Sequence, residues 1–382
     1  MSLREVVVVG VSAAGNTAAH TLRREGFDGE ITMIGAEARM PYDRPPLSKQ
    51  ILAGTWEPER VALPAAADVT WRLGVSATQL DVPARRLALS DGSELSYDGL
   101  VVATGVVPRQ LPFGHDLAGV HVLRTLDDAL ALRKDLVPSA AVVIVGAGFL
   151  GAEAAAVARQ LGKEVTLVDP LPAPMIRQFG AQIGGVIARL HTEHGVSVRT
   201  GMGVTSLAGA GGRVVSVTLS DGTTVRADVV LVAIGSVPAT GWLAGSGLSL
   251  TNGVDCDEMC RAAPGVVAAG DVASWVHPGL GRRVRFEHRM NATEQAIAAA
   301  KTLLGRGEPF APVPYFWTDQ YDVRIQAHGM CTEHAEVAVV HGDIADGRFA
   351  AVYRDQGTIA AALGWNMPRE TMRLRATIGT PG

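Results

Sequence analysis

Two glycine loops of one design, at Gly10 and at Gly146, constrain this chain more than any other feature. The first follows Val6-Val7-Val8-Val9 and reads Gly10-Val11-Ser12-Ala13-Ala14-Gly15; the second follows Val142-Val143-Ile144-Val145 and reads Gly146-Ala147-Gly148-Phe149-Leu150-Gly151. A β-branched run, a tight glycine turn and a helix-forming stretch make a strand-turn-helix. Its backbone N–H groups and helix N-terminus can hold a pyrophosphate. One such loop alone is weak evidence, but two in the right strand context are strong. Two loops call for two dinucleotides, most simply a bound flavin and a diffusing nicotinamide.

The pattern around the loops repeats. Each loop leads through a helix into a second apolar strand, Ile31–Ile34 in the first unit and Val165–Val168 in the second, the latter ending at Asp169. Each unit then shows a hairpin, turning at Asp91-Gly92 and at Asp221-Gly222, and an apolar strand ending near glycine: Leu100–Ala103 before Thr104-Gly105, and Val229–Ile234 before Gly235. This symmetry predicts two related α/β nucleotide-binding domains. The prolines at 41, 45 and 46 exclude regular helix from residues 41–49. Val266–Ala269 is a buried strand ending at Gly270-Asp271, residues 291–304 read as a helix, and alternating strands from 313 onward predict a small α+β domain.

Composition narrows the function. The 382 residues are 47% hydrophobic and 19% charged with net charge −4, which suits a globular enzyme and supplies no basic field for nucleic acid. No apolar run is long enough for a membrane span and no secretory leader is recognisable, so the expectation is a cytoplasmic protein. Three cysteines make no disulfide framework, and the spacing of Cys256 and Cys260 is not that of a redox dithiol. The histidines show no ligand spacing, so no metal site is expected. Asp169 stands where a carboxylate binds a nucleotide ribose and repels a 2′-phosphate, which favours NADH; nearby Arg177 would admit NADPH.

Four motifs carry a resemblance. They are Pro-Tyr-Asp-Arg-Pro-Pro-Leu-Ser-Lys at 41–49, Gly-Ala-Gly-Phe-Leu-Gly-Ala-Glu at 146–153, Ala-Ala-Gly-Asp-Val-Ala at 268–273 and Pro-Tyr-Phe-Trp-Thr-Asp-Gln-Tyr-Asp at 314–322. In this order they resemble the FAD-dependent NADH:ferredoxin reductases of bacterial oxygenase systems, a branch of the pyridine nucleotide-disulfide oxidoreductases without the redox disulfide. The resemblance implies two three-layer, glutathione-reductase-like Rossmann domains: an FAD domain from 1–111 and 239–312, and an NAD(H) domain from 112–238. A small α+β domain from 313–382 would cover the flavin, shortened at its end relative to the family.

The resemblance also implies roles by position. FAD would be held by Gly10, Ser12, Ala13, Ala14 and Gly15, by Ala36 or Glu37 at the adenosine ribose, by Arg44, Ala77, Ala103, Thr104, Gly105 and Arg124, and by Gly270 and Asp271. NAD would be held by Gly146, Gly148, Phe149, Leu150, Gly151, Asp169, Arg177, Ile234 and Gly235. Lys49, ion-paired with Glu153 across a closing nicotinamide cleft, would flank the flavin ring, with Trp317 packed near it. Ser12, Ala36, Arg289 and Ala239 depart from the family pattern, Arg289 adding a cation near the flavin. The expected partner is an acidic iron–sulfur protein docking on Arg282, Arg283 and Arg285, with a second arginine cluster at 369–375; the chain itself is expected as a monomer or homodimer. The rival readings are an NADH oxidase or reductase of a small organic acceptor, and a flavin-bearing redox sensor resembling apoptosis-inducing factor.

Overall fold

The computed structural model describes residues 3–332 and 334–381. The chain divides into two compact units: residues 1–43, 61–107 and 237–312 form the first, and residues 44–60, 108–236 and 313–382 the second. The first unit corresponds to the expected FAD domain without the 44–60 segment. The second groups that segment with the NAD(H) and C-terminal regions.

The first unit is built on a six-stranded sheet in the order Arg261–Ala263, Val266–Ala268, Gly99–Val102, Glu5–Val9, Glu30–Gly35, Thr70–Leu73. All pairings are parallel except that of the Arg261–Ala263 edge. Glu5–Val9 lies at the switch point, with its crossover through helix Ala13–Arg24 to one side and strand Gly99–Val102 on the other. Open parallel sheets bind ligands at the carboxyl end of such strands, which is where Gly10 lies. Helices Ala13–Arg24 and Arg289–Leu303 pack together through small residues, with Ala18, Ala19, Ala296, Ala299 and Ala300 in one buried cluster. The hairpin at Asp91-Gly92 is present, as part of a three-stranded antiparallel sheet from 77 to 96.

The second unit repeats the plan. Its parallel sheet runs Ser197–Thr200, Glu164–Asp169, Ala141–Val145, Val229–Val232, Val120–His121. Strand Ala141–Val145 is buried at every position, as the uninterrupted apolar run requires of a strand covered on both faces. Each such valine or isoleucine contributes about 1.5–3 kcal/mol by leaving water. The C-terminal residues form a five-stranded antiparallel sheet in the order Tyr315–Gln320, Val323–Gly329, Thr358–Trp365, Arg348–Asp355, Glu336–Asp343. It packs on helix Ile176–Glu193, where Phe179, Ile183 and Ile187 share a core with Ile325, Phe349, Tyr353 and Leu363. That helix is kinked at Gly180, whose φ of 76° and ψ of 173° are not helical.

The proline-rich motif holds a correction. Residues 41–46 are irregular as expected, but Leu47–Ile51 form a π-helical turn, so Lys49 is helical although the prolines predict no regular helix through residue 49. Such widened turns are rare and concentrate at functional sites.

Candidate functional site

In the first unit, the glycines of the loop are required by backbone approach. Gly10 has φ +101°, and a Cβ there would lie 2.1 Å from the Ala103 carbonyl oxygen; at Gly15 a Cβ would lie 1.7 Å from the Gly10 oxygen. Only glycine fits either place. Ser12 is the helix N-cap but its side chain makes no capping bond, and Ala13 and Ala14 are buried in the first turn. Ala103 donates its N–H to Val9 O at 2.7 Å. The Thr104 hydroxyl donates to Ala239 O at 2.9 Å, and Gly105 follows with φ +71°. Gly270 has φ +79° and donates its N–H to Gln295 Oε1 at 3.0 Å. The Asp271 carbonyl accepts from Arg285 Nη1 at 2.9 Å. Ala77 opens strand Ala77–Asp81.

At the ribose end, Ala36 is exposed, while Glu37 is half-buried and its carboxylate accepts the Tyr42 hydroxyl. The carboxylate that follows this strand is therefore oriented by the proline-rich motif. Arg289 is not an additional uncompensated cation. Its guanidinium pairs with the carboxylate of Asp43 and donates to the Thr293 hydroxyl at 2.5 Å.

The second unit copies the loop. Gly146 has φ +104° and a Cβ there would lie 2.3 Å from Ala233 O; a Cβ at Gly151 would lie 1.9 Å from Gly146 O. A Cβ at Gly148 would meet nothing within 4 Å, and Ser12 stands at the equivalent helix N-cap in the first loop. The middle glycine is thus not required by the protein's own packing. Phe149 packs edge-on to Phe179 and Phe316, at 5.8 and 5.6 Å between centroids. Leu150 and Ile234 are half-buried, Gly235 has φ +89° with its carbonyl accepting from Arg109 N, and Arg177 is exposed.

Asp169 has a second duty that spacing did not reveal. Its carboxylate is 9% exposed and accepts Ala147 N–H at 2.6 Å and Leu171 N–H at 2.8 Å. It therefore braces the glycine loop. A carboxylate has about four lone-pair directions, so acceptor capacity is left for a ribose hydroxyl.

Lys49 and Glu153 meet. Nζ lies 3.1 Å from both carboxylate oxygens, with side chains 12% and 7% exposed. Both residues belong to the second unit, so the pair forms without the cleft closure the sequence suggested. Glu153 also accepts the Ser48 hydroxyl at 2.5 Å and the Thr318 hydroxyl at 2.9 Å. With the Lys49 ammonium, these donors satisfy the oxygens of a carboxyl group that packing removes from water. Ser48 and Thr318 lie inside the motifs at 41–49 and 314–322, and their link to Glu153 emerges only from the fold. Arg44 donates to the Arg124 carbonyl at 2.5 Å, and Arg124 N–H donates to Asp128. Trp317 stacks on Tyr315 with 5.8 Å between centroids.

The arginine surface is smaller than the sequence suggested. Arg283 donates to the Cys256 and Ser274 carbonyls and lies 3.6 Å from Asp255; Arg285 pairs with Glu287 at 2.8 Å. Both brace the local strands, and Arg282 and Arg283 are exposed. On helix Pro368–Arg375, Arg369, Met372, Arg373 and Arg375 are all exposed.

Cofactor fit can be judged from the helix ends. Helix Leu126–Leu136 closes its N-terminus with a full capping box between Thr125 and Asp128. The two loop helices have no side-chain cap and no acid in the first turn, which is also true of helices Ile176–Glu193 and Arg289–Leu303; what sets the loop helices apart is the glycine turn before each. Their first-turn amides and positive dipole ends suit a pyrophosphate. All three cysteines are buried, and burial raises each thiol, Cys260 to about 12. Among the described residues no group of three or more His, Cys, Asp or Glu is placed to hold a metal ion. Among the described residues no helix is long and apolar enough to cross a membrane.

This chain belongs to the pyridine nucleotide-disulphide oxidoreductase family, which it matches over residues 4–298; residues 315–381 match the reductase C-terminal family. Within that class it is similar to the rhodocoxin reductase of Rhodococcus erythropolis, 37% identical over 98% of this chain and 89% of the relative. It is likewise similar to the ferredoxin–NAD(+) reductase component of the anthranilate 1,2-dioxygenase system of Burkholderia cepacia, 38% identical over 99% of this chain and 95% of the relative. Among solved structures it superposes on the covalent putidaredoxin reductase–putidaredoxin complex with TM-score 0.94 and 32% identity, covering 99% of this chain and 93% of that one.

Proposed function

We propose that this protein is an FAD-dependent NADH:ferredoxin reductase supplying electrons to an oxygenase. The observation that carries the reading is the pair of equivalent, uncapped glycine-loop helices. Full-length similarity to reductases of oxygenase systems supports it. When bound, FAD supplies hydride acceptance from NADH and single-electron release, which no side chain can provide. The residues do the rest. The Gly10 loop, Gly270 and Asp271 hold the FAD pyrophosphate and ribitol, and Glu37, set by Tyr42, takes the adenosine ribose. The Gly146 loop holds NADH, whose ribose hydroxyl Asp169 accepts in preference to a 2′-phosphate.

Lys49 is the cation assigned to the reducible edge of the flavin, and its ammonium would favour an anionic reduced ring electrostatically. Glu153 fixes that ammonium in place. An acidic iron–sulfur protein is the electron acceptor. Its docking surface includes the exposed helix Pro368–Arg375, with Arg282 contributing. The protein works in this reading in the cytoplasm, with residues 313–382 as the domain that covers the flavin.

Stopped-flow reduction of the purified flavoprotein by NADH, beside ferredoxin-coupled cytochrome c reduction, tests the assignment. Expected are a yellow protein, faster reduction by NADH than by NADPH, and turnover raised by a ferredoxin above the background with oxygen. Turnover that no ferredoxin raises would overturn it.

A further inference from the structure

From Glu153 a chain of buried polar groups runs through the second unit. The Thr318 hydroxyl donates to Glu153 Oε1 at 2.9 Å. Gln320 Nε2 lies 3.3 Å from that hydroxyl oxygen, and Gln320 Oε1 lies 2.9 Å from His191 Nε2. His191 Nδ1 lies 3.1 Å from the Tyr321 hydroxyl. Thr318, Gln320 and His191 are 0%, 1% and 0% exposed. Tyr321 is held in the left-handed region at φ +57°, and its ring stacks on His194 with 3.7 Å between centroids.

The chemistry of each group fixes the direction of every bond. An amide oxygen only accepts, so His191 Nε2 carries the proton and donates to Gln320. A neutral imidazole then has an acceptor at Nδ1, which takes the Tyr321 O–H. The Gln320 amide nitrogen only donates, so the Thr318 oxygen accepts from it and gives its own proton to Glu153. All four bonds therefore point one way, from the Tyr321 hydroxyl to the carboxylate. Burial holds the imidazole neutral, pushing His191 down to about 4. Aligned chains of this kind polarise each other, and their pull is strongest on a terminal charge.

We propose that Thr318, Gln320, His191 and Tyr321 form a one-directional hydrogen-bond relay that fixes the orientation of Glu153 and hence the position of the Lys49 ammonium. They are positioning residues for the reductase reaction rather than catalytic ones. The inference rests on the reading that Lys49 acts at the flavin. Its elements come from three separate stretches: the glycine-loop helix gives Glu153, helix Ile176–Glu193 gives His191, and strand Tyr315–Gln320 with the turn that follows gives the rest. The C-terminal sheet and the Lys49 site are thereby coupled through side-chain geometry.

Two measurements test the relay. In the holoenzyme, ¹⁵N NMR of His191 should show the neutral tautomer protonated at Nε2; protonation at Nδ1 would reverse the direction of the bonds and overturn the proposal. In the holoenzyme, Thr318→Val keeps the side-chain shape and removes the donor to Glu153. It should lower the limiting rate of NADH-driven flavin reduction by about tenfold to about a hundredfold, the upper figure being what ~1 Å of misplacement can cost, and shift the flavin midpoint potential. The half-saturating NADH concentration should change less than about twofold for an effect confined to the chemical step. Thr318→Ser should restore rate and potential, and Gln320→Leu should reproduce the loss. A folded Thr318→Val protein with wild-type rate and potential would overturn the relay. Lys49→Met separates the premise from the inference. If it too leaves the rate unchanged, the site reading falls with the relay; if it slows reduction while Thr318→Val does not, only the relay falls.

Discussion

The Asp169 carboxylate and the Ala147 N–H are 2.6 Å apart, so the acid that ends the second strand of the NAD unit also fastens the glycine loop in front of it. If Asp169 also reads the ribose, as proposed above, specificity and loop geometry are joined in one side chain. Asp169→Ala should narrow the preference for NADH over NADPH. It should also raise the KM for both and lower stability by about 1–3 kcal/mol, the cost of leaving buried N–H groups unbonded. Steady-state kinetics with both donors and a urea melt check this. Improved use of NADPH with wild-type stability would show that Asp169 reads only the ribose.

Two neighbouring glycines should behave oppositely. Gly146→Ala places a Cβ 2.3 Å from a backbone oxygen at φ +104°, so it should misfold or melt far below wild type. Gly148→Ala meets nothing within 4 Å and should melt with the wild-type protein, while weakening NADH binding severalfold. Thermal melting beside NADH titration distinguishes them. Equal effects on stability would contradict the assignment of the open space to the cofactor.

Much of this is legible in the sequence. Gly10, Gly15, Gly146 and Gly151 announce themselves because the strand-turn-helix leaves no volume for a Cβ, a local constraint that spacing exposes. The parallel strands are legible because burial on both faces forces continuous apolar runs. Other features depend on partners far away in the sequence. His191 and Gln320 are joined only by packing of the C-terminal sheet on helix Ile176–Glu193. Arg283 looks like solvated charge until Asp255 and two carbonyls are seen around it. The π-helical turn at Leu47–Ile51 has no periodicity to read, being a single turn.

The two arginine clusters now carry different expectations. Arg369→Glu and Arg373→Glu should each slow ferredoxin-coupled turnover severalfold at low salt and leave NADH–ferricyanide turnover near wild type, because reversing rim charges acts on encounter. The difference should shrink as salt rises and screens the attraction. Arg283→Ala should instead destabilise the protein, since its partners are internal. A salt series with a ferredoxin, paired with melts, checks both. Unchanged ferredoxin kinetics in the helix variants would move the docking surface elsewhere.

Acid should weaken the fold through buried imidazoles. Desolvation holds His191, His288 and His328 each at about 4, whereas an unfolded imidazole titrates near ~6.5. As pH falls below that value, the unfolded chain takes up protons that the folded one refuses. Stability is therefore full above about 6.5 and declines as pH falls toward 4. His191 alone should contribute a decline of about 3 kcal/mol across that window. Urea unfolding at pH 7.5 and 5.0 measures it, and His191→Gln should flatten the slope. A wild-type protein equally stable at both values would refute the buried-neutral assignment.

The three buried thiols have a consequence for the protein's lifetime. Peroxide attacks the thiolate, and a thiol held protonated inside a core is close to inert toward it. A reductase whose electrons stray to oxygen generates its own oxidant. Here Cys256, Cys260 and Cys331 offer that oxidant no accessible target, and none of them can seed a chance crosslink to a partner. What the fold withholds from such an oxidant is the thiol; its exposed sulfur is thioether, at Met40 and Met372, whose oxidation is reversible.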